Sequence, residues 1–367
     1  MKILLIGEFS GFHRALKLGL QKLGHEVILA GSPDGFKKIP IDVNLWPSNK
    51  WAKYKMLNAF LKQFSIIKGI KNLKGFDVVQ FISPLRFHNS IPFYGKWFNS
   101  FCYKKMIKHN KKSFLVSCGN DSVYLHLGRK QLLYNPIDAE IKYSNVIPNK
   151  VKDYKALEWN KYLAKEISGV IPASYEYNIG YNIFKDEINL SPIIPMPIDT
   201  SEYIFNENIV FDNKIRIMHG ITKRGKKGSN FILQALKQVE NKYSDKVVID
   251  TVERLPLNEY QEKLRTCNIL IDQCNSYGYG INALIGLAMG KVVMSGAEPE
   301  ELNVLNVTDC PVINIRPDAD DIFAKVEQLI VNKHNIQALG TASRNYVEEV
   351  HDAVKVAEQY VNFWNKS

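Results

Sequence analysis

The sequence has no long apolar run: nothing approaches the roughly 20 residues that a helix needs to cross a bilayer. Its apolar start, MKILLIGEF, is short and runs into Gly11, His13 and Arg14, so it reads as a first strand and not as a signal peptide. Cysteine is scarce and unpaired. Cys102, Cys118, Cys267, Cys274 and Cys310 contain no CxxC spacing and are odd in number. That argues against a disulfide framework or a zinc site, and for reduced thiols in a cytoplasmic protein. Low-complexity tails and repeats of solenoid period are also lacking. Acidic residues are few at one end only. Residues 1–150 hold 24 Lys and Arg against 8 Asp and Glu, an excess of +16, whereas residues 151–367 hold 24 against 29, or −5. The net charge of +11 therefore sits wholly in the first half. A one-sided basic surface calls for an anionic partner: lipid headgroups, a diphosphate-linked acceptor or nucleic acid. The plainer alternative is a solvated lysine-rich face. No recognised nucleic-acid module is present, so no nucleic-acid partner is expected.

At 367 residues, with 46% apolar and 23% charged residues, the chain is a globular protein too long for one ordinary core. Two domains are expected. Lys2–Gly7 is a short β-rich run ending in glycine, a helical pattern follows over His13–Leu23, and LGHEVILA gives a turn and a second strand. This opening starts a parallel α/β sheet. Further strands are expected over Asp77–Ile82, Ser113–Ser117, Gly169–Ala173 and Asn189–Pro192, with a helix over Ala156–Ile167. Pro195–Lys214 is rich in proline and polar residues and reads as a linker. A second strand–helix series follows, with strands at Ile215–His219, Val247–Thr251, Asn268–Asp272, Val292–Met294 and Val312–Ile315. The expected fold class is α/β: two Rossmann-like, doubly wound domains. The boundaries are 1–198 for the first domain, 199–214 for the linker, 215–350 for the second domain and 351–367 for a final helix.

Two loops carry the chemical signal. In HGITKRGKKGS, His219–Ser229, a strand ends at His219 and a loop brings Gly220, Lys223, Arg224, Lys226 and Lys227 to a helix opened by Gly228-Ser229. Basic side chains at a helix N-terminus make a phosphate site. The GxxxxGK[ST] spacing is absent, so this is not a Walker A loop. In DQCNSYGYGINALIGLAMGKVVM, Asp272–Met294, Gly278 and Gly280 precede an apolar helix that begins near Asn282. Either loop alone is equally well read as an ordinary turn of the sheet.

Together and in this order, the two loops resemble family 4 glycosyltransferases of the GT-B fold. In that family a phosphate-binding Arg and Lys follow the first strand of the C-terminal domain, and Arg224 and Lys227-Gly228 match them. The family's FGxxxLEAMAxGxPVV stretch matches Tyr279–Met294. LGHEVILA, IPMPIDTSEYIF and the closing VAEQYVNFW are similar to the family at those points, so the likeness spans nearly the whole chain. It implies two domains facing across a cleft, a final helix crossing back to the first, and a nucleotide-diphosphate-sugar donor held in the C-terminal half. One departure is plain. The family's Glu-x7-Glu pair is replaced by Tyr277 and Ile285. The polar cluster Asp272, Gln273, Asn275, Ser276 and Asn282 is the available substitute, and Tyr277, Gly278, Tyr279 and Gly280 complete the donor set.

The resemblance assigns the first half to the acceptor. SCGNDS, Ser117–Ser122, stands where the family has a His-Asp or His-Gly pair, so Asp121 is a catalytic candidate, with helix capping as the plainer role. His13 follows the first strand, at the family's interdomain loop, and is the other candidate. Trp46–Gly75 and Phe93–Lys112 alternate Lys with aromatic and aliphatic residues and suit a helix lying on anionic lipid. Ordinary amphipathic core helices are the alternative. The expectation is a retaining glycosyltransferase of surface-polysaccharide synthesis, cytoplasmic and peripheral on the inner face of the membrane. It would act on a glycan or lipid-linked glycan acceptor, with no cofactor and no metal. A non-catalytic GT-B scaffold and a sugar-nucleotide epimerase are the competing readings.

Overall fold

In the computed structural model, residues 1–32, 39–45, 55–85, 87, 94–253, 255 and 257–367 are described. Eleven strands are present among them, in two all-parallel sheets. The first holds β1 (Lys2–Ile6), β2 (Glu26–Gly31), β3 (Val43–Asn44), β4 (Val78–Ile82), β5 (Lys112–Ser117) and β6 (Gly169–Pro172), in the order β3-β2-β1-β4-β5-β6. The second holds β7 (Ile215–Ile221), β8 (Val247–Glu253), β9 (Ile269–Ile271), β10 (Val292–Ser295) and β11 (Ile313–Asn314), in the order β11-β10-β9-β7-β8. Both orders reverse once, after β1 in the first sheet and after β7 in the second, which is the mark of a doubly wound fold.

The strands read as continuous apolar runs because both faces of each sheet are covered. Alternate residues of β1 serve different cores. Leu4 and Ile6 join Val79, Phe81 and Leu115 on the face covered by helices Lys55–Asn72, Tyr94–His109 and Tyr154–Glu166. Ile3 and Leu5 join Val78, Phe114 and Val116 on the face covered by helices Phe12–Lys22 and Ala353–Lys366. The second sheet has its own core, in which Ile217, Ile269 and Met294 meet Ile232, Leu236, Ile322 and Val326 of helices Ser229–Tyr243 and Ala319–Val331.

The chain forms two compact units, and neither is a single stretch of sequence. The first comprises residues 1–128, 150–197 and 353–367; the second comprises 129–149 and 198–352. The units divide between 197 and 198 and between 352 and 353, residues 199–214 group with the second unit, and so do 129–149. The cause is helix Pro136–Ser144, which packs on helix Arg224–Lys227 of the second unit. Asn189–Pro192 is not a strand: only a Val170–Leu190 bridge forms. Pro192 and Pro195 lack the N–H that a ladder requires.

The final helix belongs to the first unit and lies on helix Phe12–Lys22. The approach is close enough that a Cβ on Gly19 would run into the carbonyl of Ala353. Gly19→Ala should therefore lower stability by about 1–3 kcal/mol, the usual cost of overpacking. Urea unfolding of the variant checks this, and an unchanged midpoint would rule out the close packing.

Candidate functional site

In doubly wound sheets ligands bind outside the carboxyl ends of the strands, where the order reverses. In the second unit that point lies between β7 and β9. The two loops singled out by sequence, 222–228 and 272–280, leave the sheet there side by side. They are tied directly together. Cys274 N–H donates to the Lys227 carbonyl at 3.0 Å, and the Asn275 side-chain amide donates to the Gly225 carbonyl at 2.8 Å.

Between them lies a chain of polar side chains. The Lys227 ammonium donates to Asp272 Oδ1 at 2.6 Å and to the Asp272 carbonyl at 3.3 Å. Asn282 Nδ2 donates to the same Oδ1 at 2.7 Å, and Asn282 Oδ1 accepts from the Tyr260 hydroxyl at 2.8 Å. Asp272 is 2% exposed, so its charge is held by paired and hydrogen-bonded groups and not by water. The Tyr260 ring covers the end of β7, where a Cβ on Gly220 would lie 2.7 Å from it. Burial, then the nearby Asp272 charge, holds the Tyr260 hydroxyl well above its ordinary pKa. Helix Ile281–Ala288 begins here at Gly280, which has no side chain to cap it, and space beside Gly280 is open. Its first N–H groups point toward the same end of the sheet. Arg224 is exposed and pairs with Glu253 at the end of β8, at 2.8 Å.

His219, beneath this cluster, is fully buried. Nδ1 donates to the Ile271 carbonyl at 2.8 Å, which leaves Nε2 to accept from Ser229 Oγ at 3.0 Å. Burial lowers its pKa to about 4, so the neutral tautomer braces β7 against β9 and the helix that opens at Ser229.

Several expected donor residues face elsewhere. Tyr279 is buried, its hydroxyl bonded to Tyr346 and, at 3.1 Å, to His351 Nε2. Tyr277 is also buried; its hydroxyl accepts from Leu133 N–H at 3.3 Å and its ring lies 5.0 Å from that of Tyr134. Gly278 lies against Glu301, and its carbonyl accepts from Gln273 Nε2 at 3.2 Å. Ser276 is buried. Lys227, Asp272, Asn282, Gly220 and Gly280 are thus brought together, while Tyr277 and Tyr279 shape the loop from behind. Tyr260 was not foreseen: a single tyrosine in a polar helical stretch gives no signal until Gly220 is seen beneath it.

Among the described residues the first unit shows no open counterpart. At its reversal point, between β1 and β4, Glu8 fills the N-terminus of helix Phe12–Lys22, accepting from Gly11 N–H and Arg14 N–H at 2.8 Å each. A carboxylate already sits where an anion would bind. His13 is fully buried, with Nδ1 2.8 Å from the Gly7 carbonyl and Nε2 3.2 Å from the Gln80 amide. Asp121 is fully buried and accepts from Val123 N–H, Tyr124 N–H, Ser117 Oγ, Asn160 Nδ2 and Tyr181 Oη, at 2.8–3.1 Å. Burial raises its pKa despite these donors. Both catalytic candidates of the first half therefore have structural places, and Asp121 is the cap of helix Ser122–His126. In the same way Asp318, of the Asp-Ala-Asp stretch, caps helix Ala319–Val331 through Asp320 N–H and Asp321 N–H.

No family model matches the chain, and no curated protein matches its sequence. Solved structures do resemble it over its whole length. Sucrose-phosphate synthase of Thermosynechococcus elongatus superimposes with a TM-score of 0.64 at 13% identity, covering 100% of this chain and 98% of that one. HepE of Anabaena in complex with UDP-glucose gives 0.61 at 12% identity, with 100% of both chains covered. The E. coli trehalose-6-phosphate protein bound with UDP-2-fluoro glucose gives 0.61 at 9%, covering 100% and 99%. At such identities the likeness is one of fold. The fold is the two-sheet GT-B architecture that the sequence resemblance implied.

The buried imidazole of His219 makes stability pH-dependent. Its folded pKa lies below its unfolded value, so its contribution is complete above pH 6.5 and is lost as pH falls through about 4. Urea unfolding at pH 7.5 and pH 5 should show a smaller pH difference for His219→Gln than for the wild type. Equal differences would mean that His219 is not held neutral.

Proposed function

We propose that the chain is a glycosyltransferase that moves a sugar from a nucleotide-diphosphate-sugar to a glycan acceptor. The observation that carries this reading is the Lys227–Asp272–Asn282–Tyr260 chain beside a helix N-terminus at the reversal point of the second sheet. The fold is shared with proteins solved with UDP-glucose and UDP-2-fluoro glucose. Lys227, held in place by Asp272, would offer its remaining protons to the diphosphate, and Arg224 would leave Glu253 for a phosphate oxygen. As the sugar–phosphate bond breaks, negative charge builds on the leaving diphosphate. Two cationic side chains and the N–H groups at Gly280–Asn282 would stabilise it without a divalent cation. Asp272 and Asn282 would offer an acceptor and a donor to hydroxyls of the donor, the task that Tyr277 and Ile285 cannot perform. The resemblance to family 4 supports retention of anomeric configuration and a place in surface-polysaccharide synthesis.

The acceptor is proposed to be lipid-linked, presented at an anionic membrane on the cytoplasmic side. The support is a surface of the first unit. Leu57, Phe60, Leu61 and Phe64 are exposed on helix Lys55–Asn72 at spacings of three, four and seven, which places them on one face. Trp97 and Phe101 are exposed on the neighbouring helix Tyr94–His109, with stacked rings 5.5 Å apart. Neither helix contains an acidic residue, and Lys62, Lys68, Lys71, Lys104 and Lys108 supply charge. Apolar side chains ringed by lysines suit the interface of an anionic bilayer. Trp46, Trp51 and Lys53, expected to contribute, lie outside the described residues, as does the Lys55 side chain. Among the described residues no helix is long and apolar enough to cross a membrane.

A second reading, a non-catalytic member of a polysaccharide-assembly complex, is favoured by the structural placement of both Asp121 and His13. Hydrolysis of a nucleotide sugar by the purified chain separates the two.

Arg224→Ala is expected to lower turnover by roughly tenfold or more, and to weaken UDP binding, while the melting temperature holds; one charge-assisted contact is worth about 1.5–3 kcal/mol. Lys227→Ala should cost at least as much activity and also some stability, because it strands the buried Asp272. Wild-type turnover in both variants would overturn the diphosphate assignment.

On vesicles containing anionic lipid, the protein should bind at low salt and leave as salt rises. Phe60→Ser with Phe64→Ser should weaken binding by roughly tenfold or more, given about 1.5–3 kcal/mol per fully buried aromatic side chain. Co-sedimentation checks this. Salt-independent absence of binding would refute the membrane role, as would loss of a dimer in the double variant with no change on vesicles.

A further inference from the structure

Residues 129–149 enter and leave through the first unit, at Gly128 and Lys150, yet fold with the second. Their internal order is local and strong. Asn135 caps helix Pro136–Ser144 by accepting from Ile137 N–H and Asp138 N–H, and Arg129 pairs with Asp138. What they touch is more informative, because they reach both loops of the candidate site.

At one end Glu140 Oε2 accepts from Lys226 N–H at 3.0 Å. Helix Pro136–Ser144 lies so close that a Cβ on Gly225 would be 2.6 Å from Glu140 Oε2, 2.8 Å from Tyr143 Cβ and 2.9 Å from Glu140 Cα. Two of those three atoms belong to the rigid part of the helix, so only glycine allows the approach. The Gly225 carbonyl is meanwhile held by Asn275 of the other loop. The short Arg224–Lys227 turn is thus gripped from two sides. At the other end Leu133 N–H donates to the Tyr277 hydroxyl, and the Tyr134 and Tyr277 rings are in contact. The Tyr134 hydroxyl donates to Glu298 Oε1 at 2.6 Å, and Glu298 N–H donates back to the Tyr277 carbonyl at 2.8 Å. Arg316 and Asn314 complete the ring around Glu298, and the Arg316 guanidinium, the largest influence, holds its carboxyl down at about 2.

We propose that residues 129–149 are a brace for the donor site, in which Glu140 and Tyr134 are positioning residues that hold loops 222–228 and 272–280 in register. The proposal takes the identity of the ligand from the glycosyltransferase reading; the brace itself stands on the contacts alone. Because these contacts are all made between protein groups, the chain itself orders both loops, and binding need not bear the cost of ordering them. Arg224 and Lys227 are presented on a turn that the brace keeps from unwinding.

The test uses the full chain and reads the loops before it reads the ligand. Amide hydrogen exchange without nucleotide is compared in the wild type, Glu140→Ala, Glu140→Gln and Tyr134→Phe. Glu140→Ala should speed exchange at 224–228 by roughly tenfold, and Glu140→Gln, which keeps an acceptor, should restore it. Tyr134→Phe should speed exchange at 274–279 but not at 224–228, a separation that general destabilisation would not produce. In UDP titrations Glu140→Ala should raise the Kd roughly tenfold while Glu140→Gln stays near wild type. Unchanged exchange, or faster exchange with an unchanged Kd, overturns the proposal. A wild-type chain that binds no nucleoside diphosphate, with the exchange differences present, would refute the glycosyltransferase reading and support the brace.

Discussion

The ion pair between Lys227 and Asp272 is the contact on which the second unit's site depends. It joins the turn after β7 to the end of β9, alongside the contacts that Cys274 and Asn275 make to the same turn. Asp272 has almost no access to water, so it needs both the ammonium of Lys227 and the amide of Asn282. Once those are placed, Tyr260 is placed as well, and Gly220 becomes the residue that makes room for it. A lysine oriented in this way offers its remaining protons in a fixed direction, which a solvated lysine does not.

The two units share a winding pattern but differ where an anion would bind. In the first, Glu8 occupies the helix N-terminus with both carboxylate oxygens. In the second, the helix begins at Gly280, which has no side chain of its own to cap it. The first unit thus holds a carboxylate of its own at the place where an anion would bind. The surface of the first unit is organised for something else, with apolar rings and lysines on two adjacent helices that carry no acid.

Much of the fold was legible because parallel strands covered on both faces leave continuous apolar runs, and nearly every strand of both sheets was anticipated. The exception is Asn189–Pro192, expected as a strand, where only the Val170–Leu190 bridge forms before Pro192, which has no N–H to donate. The basic loop and the glycine loop were singled out because cationic and glycine residues near helix starts are recognisable in sequence, and the structure ties the two together. Tyr277 and Tyr279 misled because a tyrosine beside glycines looks the same whether its hydroxyl faces a ligand or a buried partner such as Tyr346 or His351. For Asp121 the sequence offered both a catalytic role and helix capping; the cap is local, at Val123 and Tyr124, while Asn160 and Tyr181 reach it from 39 and 60 positions away, which no local pattern announces. The placement of 129–149 was hidden most deeply, because it depends on the fit of one helix against Gly225, a contact across 85 residues of sequence.

That last contact has a consequence for how such a chain can be divided or recombined. A cut between residues 197 and 198 looks natural in the sequence, yet it would strand 21 residues of the second unit on the wrong fragment and leave the last helix of the first unit on the other. Exchange of whole halves between related chains would put one parent's Glu140 and Tyr134 against another parent's loops. The two halves are therefore bound to change together, and a functional crossover should carry 129–149 along with 198–352 and leave 353–367 behind.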